Sequence, residues 1–284
     1  MPASCRTSPP TPKRPPCRKV RSYPSRAMRC RASKLFAAVL PPLALLFAGC
    51  SRPAEPPVED ERLTIGLMSS LPVYWSGGNA FVELSQDGVE PHWARMALEA
   101  AHDLEAIDAL TSENLARTDL LILAQPRVLS PMENVALDDW VRAGGKALVF
   151  ADPALVLESE FPLGDPRRPM DTVLLSPILA RWGLELMFDP AQAEALRRVR
   201  DGDVVLDVAA AGTFEVSGGE GSSCTLAAEG VLATCAIGEG RVVLVADATL
   251  LEDTVGTEAS AGILSALIAR TSDPVREITG RSGK

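Results

Sequence analysis

Apolar residues in this chain fall in blocks, and the spacing of each block predicts an element. Four runs are continuous: LTIGLMSS (63–70), LLILA (120–124), KALVFA (146–151) and RVVLVAD (241–247). Runs of that length without alternation read as strands of a parallel sheet, covered on both faces. LEAID (104–108) is a weaker strand suited to an edge, and LELMF (184–188) is a further strand. Between them the apolar period lengthens to that of a helix. Pro91 to His102 reads as a helix with Trp93, Met96, Ala97, Ala100 and Ala101 on one face. In Ser130-Pro131-Met132-Glu133 the serine hydroxyl and the glutamate can satisfy each other's free amides, with proline at the first helical position. Met132, Val135, Ala136, Trp140 and Ala143 then recur at helical spacing, and Gly144 supplies a left-handed exit. SPILARWG (176–183) repeats the Ser-Pro opening and closes at Gly183, and EASAGILSALIAR (258–270) gives a last helix.

Strand, helix and strand in that order imply a right-handed crossover and parallel pairing. The expected fold is therefore α/β with a parallel sheet. Residues 195–236 break the pattern into short β segments and glycine-rich turns, a β-hairpin-rich insertion. Within it, CTLAAEGVLATC is expected to fold about Glu229-Gly230 as a two-residue hairpin that sets Cys224 opposite Cys235. A structural disulfide is expected there, the alternative being two unpaired buried thiols.

The amino-terminal region follows different rules. Residues 1–27 hold no acidic residue and no apolar period, and are read as a disordered extension ahead of a start at Met28. Residues 28–49 carry Arg29, Arg31 and Lys34 before an apolar run from Leu35 to Phe47, the layout of a signal peptide. LLFAGC resembles a bacterial lipoprotein signal in which Cys50 would be lipidated, although Phe47 stands where leucine is more usual. The plainer alternative is an ordinary secretory signal or uncleaved anchor with Cys50 incidental. Residues 50–61 read as a flexible Pro-rich tether, 62–272 as one α/β domain, and 273–284 as a loose tail. The expected location is the periplasmic face of the inner or outer membrane.

Charge narrows the partners. The chain is −9 overall, with ten of its 28 basic residues and none of its 37 acidic residues before Cys50, so the remainder is −19. An acidic body offers no basic face for nucleic acid. It is also repelled by anionic lipid, which leaves a lipid on Cys50 as the membrane tether.

Ligands of open parallel sheets bind beyond the carboxyl ends of the strands. The loops there bring Tyr74, Trp75, Asn79, Gln125, Arg127, Asp152 and Asp247 towards one rim as candidates for a ligand or partner. Each has a bland reading: Trp75 as a lid on the core, Asp152-Pro153 as a turn, Asp247 as the cap of the turn after its strand. Asp165, Arg167 and Arg168 form either an anion-binding edge or a solvated loop. His92 and His102 lie at the two ends of one helix and cannot act as a pair, and no cluster points to a metal or cofactor. No cysteine or serine sits at a strand-to-helix elbow, so no catalytic residue is assigned.

The stretch LILAQPRVLSPMENVALDDWVRAGGKALVFADP, together with GEGRVVLVADATLL, resembles the extracytoplasmic domain of GldG-like proteins, auxiliaries of ABC-type transport systems. The resemblance implies a fold like class I glutamine amidotransferases, a flavodoxin-like parallel sheet without their catalytic set, and partners among transporter subunits or other envelope proteins. Members are usually anchored by transmembrane helices, whereas no apolar run of spanning length follows Cys50 here. Three functions follow as expectations: a non-catalytic envelope lipoprotein that binds a partner or small ligand; a carboxylate-dependent hydrolase of envelope glycan using Asp152 and Asp247; and a periplasmic solute receptor.

Overall fold

The computed structural model describes residues 62–75, 90–159, 161–165, 167–252 and 256–272. Cys50, Asn79, the leader, the tether and the tail lie outside them. Strands β1 (Thr64–Ser69), β2 (Asp103–Ala106), β3 (Leu120–Ala124) and β4 (Lys146–Phe150) are joined by β11 (Gly240–Val245). These five run parallel in the order β2-β1-β3-β4-β11, the doubly wound order of flavodoxin-like sheets. β10 (Leu232–Ile237) and β9 (Ser222–Ala227) extend the sheet antiparallel beyond β11.

The continuous apolar runs are explained by two cores, one per face. In β3, Leu120, Ile122 and Ala124 face one core and Leu121 and Leu123 the other. Helices α1 (Trp93–Ala101) and α6 (Glu258–Ser272) cover the first face through Trp93, Leu98, Leu264 and Leu267. Helices α3 (Pro131–Arg142) and α4 (Ser176–Trp182) cover the second through Leu137, Val141, Ile178 and Trp182. Two short helices, α2 (Ser112–Leu115) and α5 (Thr249–Glu252), complete the set.

The expected helix faces need correction. α3 has its capping box, with Ser130 Oγ accepting from Glu133 N–H and Glu133 Oε2 accepting from Ser130 N–H. Yet Met132 is 83% exposed and Val135 49%, while Glu133, Asn134, Leu137, Asp138 and Val141 turn inward. The helix is rotated because its polar inner positions find partners in the preceding loop and in α4. Glu133 takes a bidentate Arg127, which holds its carboxyl down at about 2 despite burial. Asp138, fully buried, accepts from Arg142 Nε (3.0 Å), Arg181 Nε (2.9 Å) and Trp182 Nε1 (3.1 Å). Burial alone would raise the Asp138 pKa; the two guanidiniums hold it below its usual value. α1 is likewise turned, burying Trp93, Ala94 and Leu98 and leaving Met96 48% exposed. His92 and His102 cap its two ends. In α4 Ser176 is the first helical residue rather than the cap, and Gly183 takes the left-handed exit at φ +79°.

The β-rich segment divides. β6 (Arg197–Asp201) and β7 (Val204–Val208) form a hairpin packed on the first core, and β8 (Thr213–Val216) pairs with β5 (Leu184–Met187). β9 and β10 instead continue the main sheet. Their register sets Cys224 opposite Cys235, joined by a disulfide. The turn between them is not the expected two-residue one: it spans Ala228 to Val231, because Ala228, Glu229 and Gly230 all take positive φ, and the longer turn leaves the cysteine register unchanged.

Candidate functional site

The carboxyl ends of β3, β4 and β11 meet where the order of the sheet predicts a ligand crevice. Gln125 directly follows β3 in a left-handed conformation (φ +47°), unusual for a residue with a side chain. That strain is held by a saturated amide. Nε2 donates to the carbonyls of Asp152 (3.0 Å) and Met170 (2.8 Å), and Oε1 accepts from Asp152 N–H (2.9 Å). Just past β1, Ser70 Oγ donates to the Gln125 carbonyl and accepts from Met170 N–H. The irregular segment after β4 thus returns across the switch point between β1 and β3 and closes it with its own backbone.

Asp152 and Asp247 stand at the ends of adjacent strands, 0% and 2% exposed. Both are held by backbone amides. Asp152 Oδ1 accepts from Ala154 N–H (2.8 Å) and Oδ2 from Ala248 N–H (3.0 Å), so it bridges the two strand ends. Asp247 Oδ1 accepts from Thr249 N–H (2.8 Å) and Oδ2 from Ala209 N–H (3.1 Å), tying in the end of the β6-β7 hairpin. The turn-capping role open to both acids is the geometry observed.

A third acid, Glu252 at the end of α5, joins them. Its carboxylate accepts from Val156 N–H, while Oε1 is buried without a partner. Burial pushes Asp152 up to about 6; burial and the neighbouring Asp152 push both Asp247 and Glu252 up to about 7. No cation faces these acids in any described ion pair, so at neutral pH the cluster retains protons rather than full charge. Among the described residues, no group of three or more His, Cys, Asp or Glu is placed to hold a metal.

The remaining rim candidates lie apart. Tyr74 and Trp75 meet edge to face, with Arg95 over the tyrosine ring at 4.5 Å and donating to the Tyr74 carbonyl. Arg127 is spent on Glu133 and on the carbonyl of Asp108. Arg167 and Arg168 are paired with Asp165 and Asp171 on an exposed loop. Gln125, Asp152 and Asp247 are therefore brought together, and Arg127, Tyr74 and Trp75 are not part of that knot. Sequence reading missed Ser70, Met170 and Glu252. Only Glu252 left a signal, a carboxylate five residues past Asp247 in the same strand-end loop.

Among the described residues no helix is long and apolar enough to cross a membrane. No curated protein matches the chain. Among solved structures, the chain is similar to an exo-beta-1,4-mannosidase of Opitutaceae bacterium strain TAV5 at 14% identity and TM-score 0.42. That alignment covers 74% of this chain and 36% of the other, so the chain spans about a third of that enzyme's length. A cytoplasmic protein of Salmonella typhimurium matches at 8% identity and TM-score 0.42, over 73% of this chain and 98% of its own. A beta-galactosidase of Rahnella sp. R3 matches at 14% identity and TM-score 0.40, over 75% of this chain and 32% of its own. The family profile described as "ABC-type uncharacterized transport system" matches residues 62–200, which run from the start of β1 into the β6-β7 hairpin. Over those residues, just under half of its length, the chain matches this family of ABC-type transport auxiliaries.

Proposed function

We propose that the chain is a non-catalytic lipoprotein of the cell envelope, held to the membrane by a lipid on Cys50, which binds a protein subunit of an ABC-type transport system. One observation carries the non-catalytic half of this reading: the strand-end acids are buried and spent on backbone amides. Chemistry needs a group that water or substrate can reach, and glycoside hydrolysis needs two such carboxyls flanking the scissile bond. Asp152 and Asp247 offer neither, so the hydrolase alternative has little support. A solute receptor would need a second α/β lobe, and the described residues build one central sheet. The family match supports the transporter half. The half-buried pair Tyr74 and Trp75 with Arg95 is the surface we assign to partner contact, because aromatic and arginine side chains dominate the energetics of such contacts.

Recovery of the full chain from gently solubilised membranes tests the reading. Transporter subunits should co-purify with the wild type and be depleted by Trp75→Ala. Recovery of lipid alone would overturn it.

A further inference from the structure

The two edge strands of the seven-stranded sheet are built differently. β2 has four residues, two of them Asp103 and Glu105. The Arg62 guanidinium braces it by bonding Asp103 and the carbonyls of Glu99, Ala100 and His102. Edge strands are commonly kept short and charged in this way, which discourages a further strand from pairing. β9 has none of these guards. Its six residues, Ser222–Ala227, hold no charge and no proline, and the disulfide pins the strand to β10. Beyond their pairing with β10, Ser223 to Ala227 make no backbone hydrogen bond among the described residues. Ser223, Thr225 and Leu226 are exposed, so the outer side of β9 is open to solvent.

Charge selects what pairs there. Residues 201–240 contain seven acids and no lysine or arginine. Glu220 and Glu229 flank β9 in sequence, and only Glu229 has a cation partner among the described residues, Arg197. β8 packs beside β9 and pairs with β5 so that Glu215 stands directly opposite Glu185. The adjacent pair, Phe214 and Leu186, turns towards the second core, so both glutamates point outward and are exposed. Like charges placed opposite each other in an antiparallel pair, about 5 Å apart at Cβ, weaken it. Neither glutamate joins an ion pair among the described residues, so the repulsion has no internal relief. An acidic margin of this kind repels a second copy of the same acidic body and attracts a basic chain.

We propose that β9 is a docking edge for an extended, basic segment of a partner protein. The segment adds one strand to the sheet through backbone hydrogen bonds, and its lysine or arginine side chains answer Glu215, Glu185 and Glu220. In such strand addition the ladder supplies affinity and the alternate side chains supply selectivity. Leu226 on β9 and Val216 on β8, 40% and 53% exposed, offer apolar contact beside the acids. The edge lies five strand positions from β1, the strand that leads to Tyr74 and Trp75, and does not depend on the partner surface assigned above.

Fluorescence anisotropy on the detergent-solubilised full chain tests the proposal with three labelled, end-capped peptides matched in length to the six residues of β9. All alternate threonine and valine between their ends. The first has lysine at both ends and the second glutamate at both ends. The third keeps the lysines but carries a central proline, which cannot donate to a ladder. The first should bind saturably in the millimolar range or below, and the other two at least about tenfold more weakly. Hydrogen exchange should slow at alternate β9 amides when the first is bound. Glu215→Lys should weaken that peptide by about fivefold or more. It should leave the urea midpoint unchanged or raised, because it replaces the repulsion with Glu185 by an ion pair. Failure of the first peptide to saturate, equal affinity for the glutamate or proline peptide, unchanged affinity in Glu215→Lys, or no slowing of exchange in β9 would overturn the proposal. Protection of β9 that grows with protein concentration in the absence of peptide would also overturn it, and would name a second copy as the occupant.

Discussion

The two ends of the central sheet solve opposite problems. At the carboxyl end, where α/β proteins usually keep their chemistry, Gln125, Ser70 and the Met170 backbone close the switch point, and three neighbouring acids are raised by burial, two of them also by the nearby Asp152. At the amino end, where strands usually just begin, a cavity stays open beside Lys146, which joins no ion pair among the described residues. A residue's place in the topology therefore does not decide whether it can react. What decides is whether its hydrogen-bonding capacity is already consumed. Asp152 sits where a catalytic carboxylate would sit, and two backbone amides use it to join β4 to β11.

Substitutions that break the contrast should have graded effects. The largest is expected from Gln125→Ala, which strands two buried carbonyls and one amide and opens a hole at the switch point. Urea denaturation should register a loss of about 3–6 kcal/mol; a loss below about 1 kcal/mol would mean the crevice is not closed by this side chain. Glu252→Gln should act in the other direction above neutrality, since it fixes the neutral form of an acid raised to about 7. Because Glu252 is only part-buried, the gain at pH 8 should be about 1–2 kcal/mol, vanishing near pH 5. Equal stability of variant and wild type at both pH values would remove Glu252 from the cluster. Lys146→Gln should move stability least, within about 0.5 kcal/mol, because Lys146 joins no ion pair among the described residues and neighbours another cation. A large loss there would show that the amino edge is structural after all.

The strands and their parallel pairing were legible from residue pattern because continuous apolar runs leave few alternatives, whereas their order in the sheet was not. The Ser130 to Glu133 capping box and the Cys224–Cys235 register were legible for the same reason: both are fixed by spacing within a few residues. The buried face of α3 was not. An amphipathic count favours Met132 and Val135, but Glu133 and Asp138 go inside because Arg127, Arg181 and Trp182 meet them there. The strand-end acids were visible as positions, whereas their fate depended on Ala209, Ala248 and Met170. Those partners contribute backbone atoms, and a backbone amide leaves no mark in side-chain pattern.

The closed carboxyl edge is tested most directly by the pH dependence of stability. Asp152, Asp247 and Glu252 are raised in the folded protein to about 6, 7 and 7 from ordinary values of 3.8, 3.8 and 4.5. The folded chain then binds more protons than the unfolded chain, and stability falls as pH rises through that window. Acids held low, such as Glu133, lose their contribution only below about pH 4.5. His102, lowered by burial and by Arg62, opposes the trend as a single part-exposed group. Urea unfolding of the full chain at pH 5 and pH 8 should therefore show it more stable at pH 5, by about 2–4 kcal/mol. Greater stability at pH 8 would mean that the acids are ionised and solvated at an open rim, and would contradict the closed edge on which this account rests.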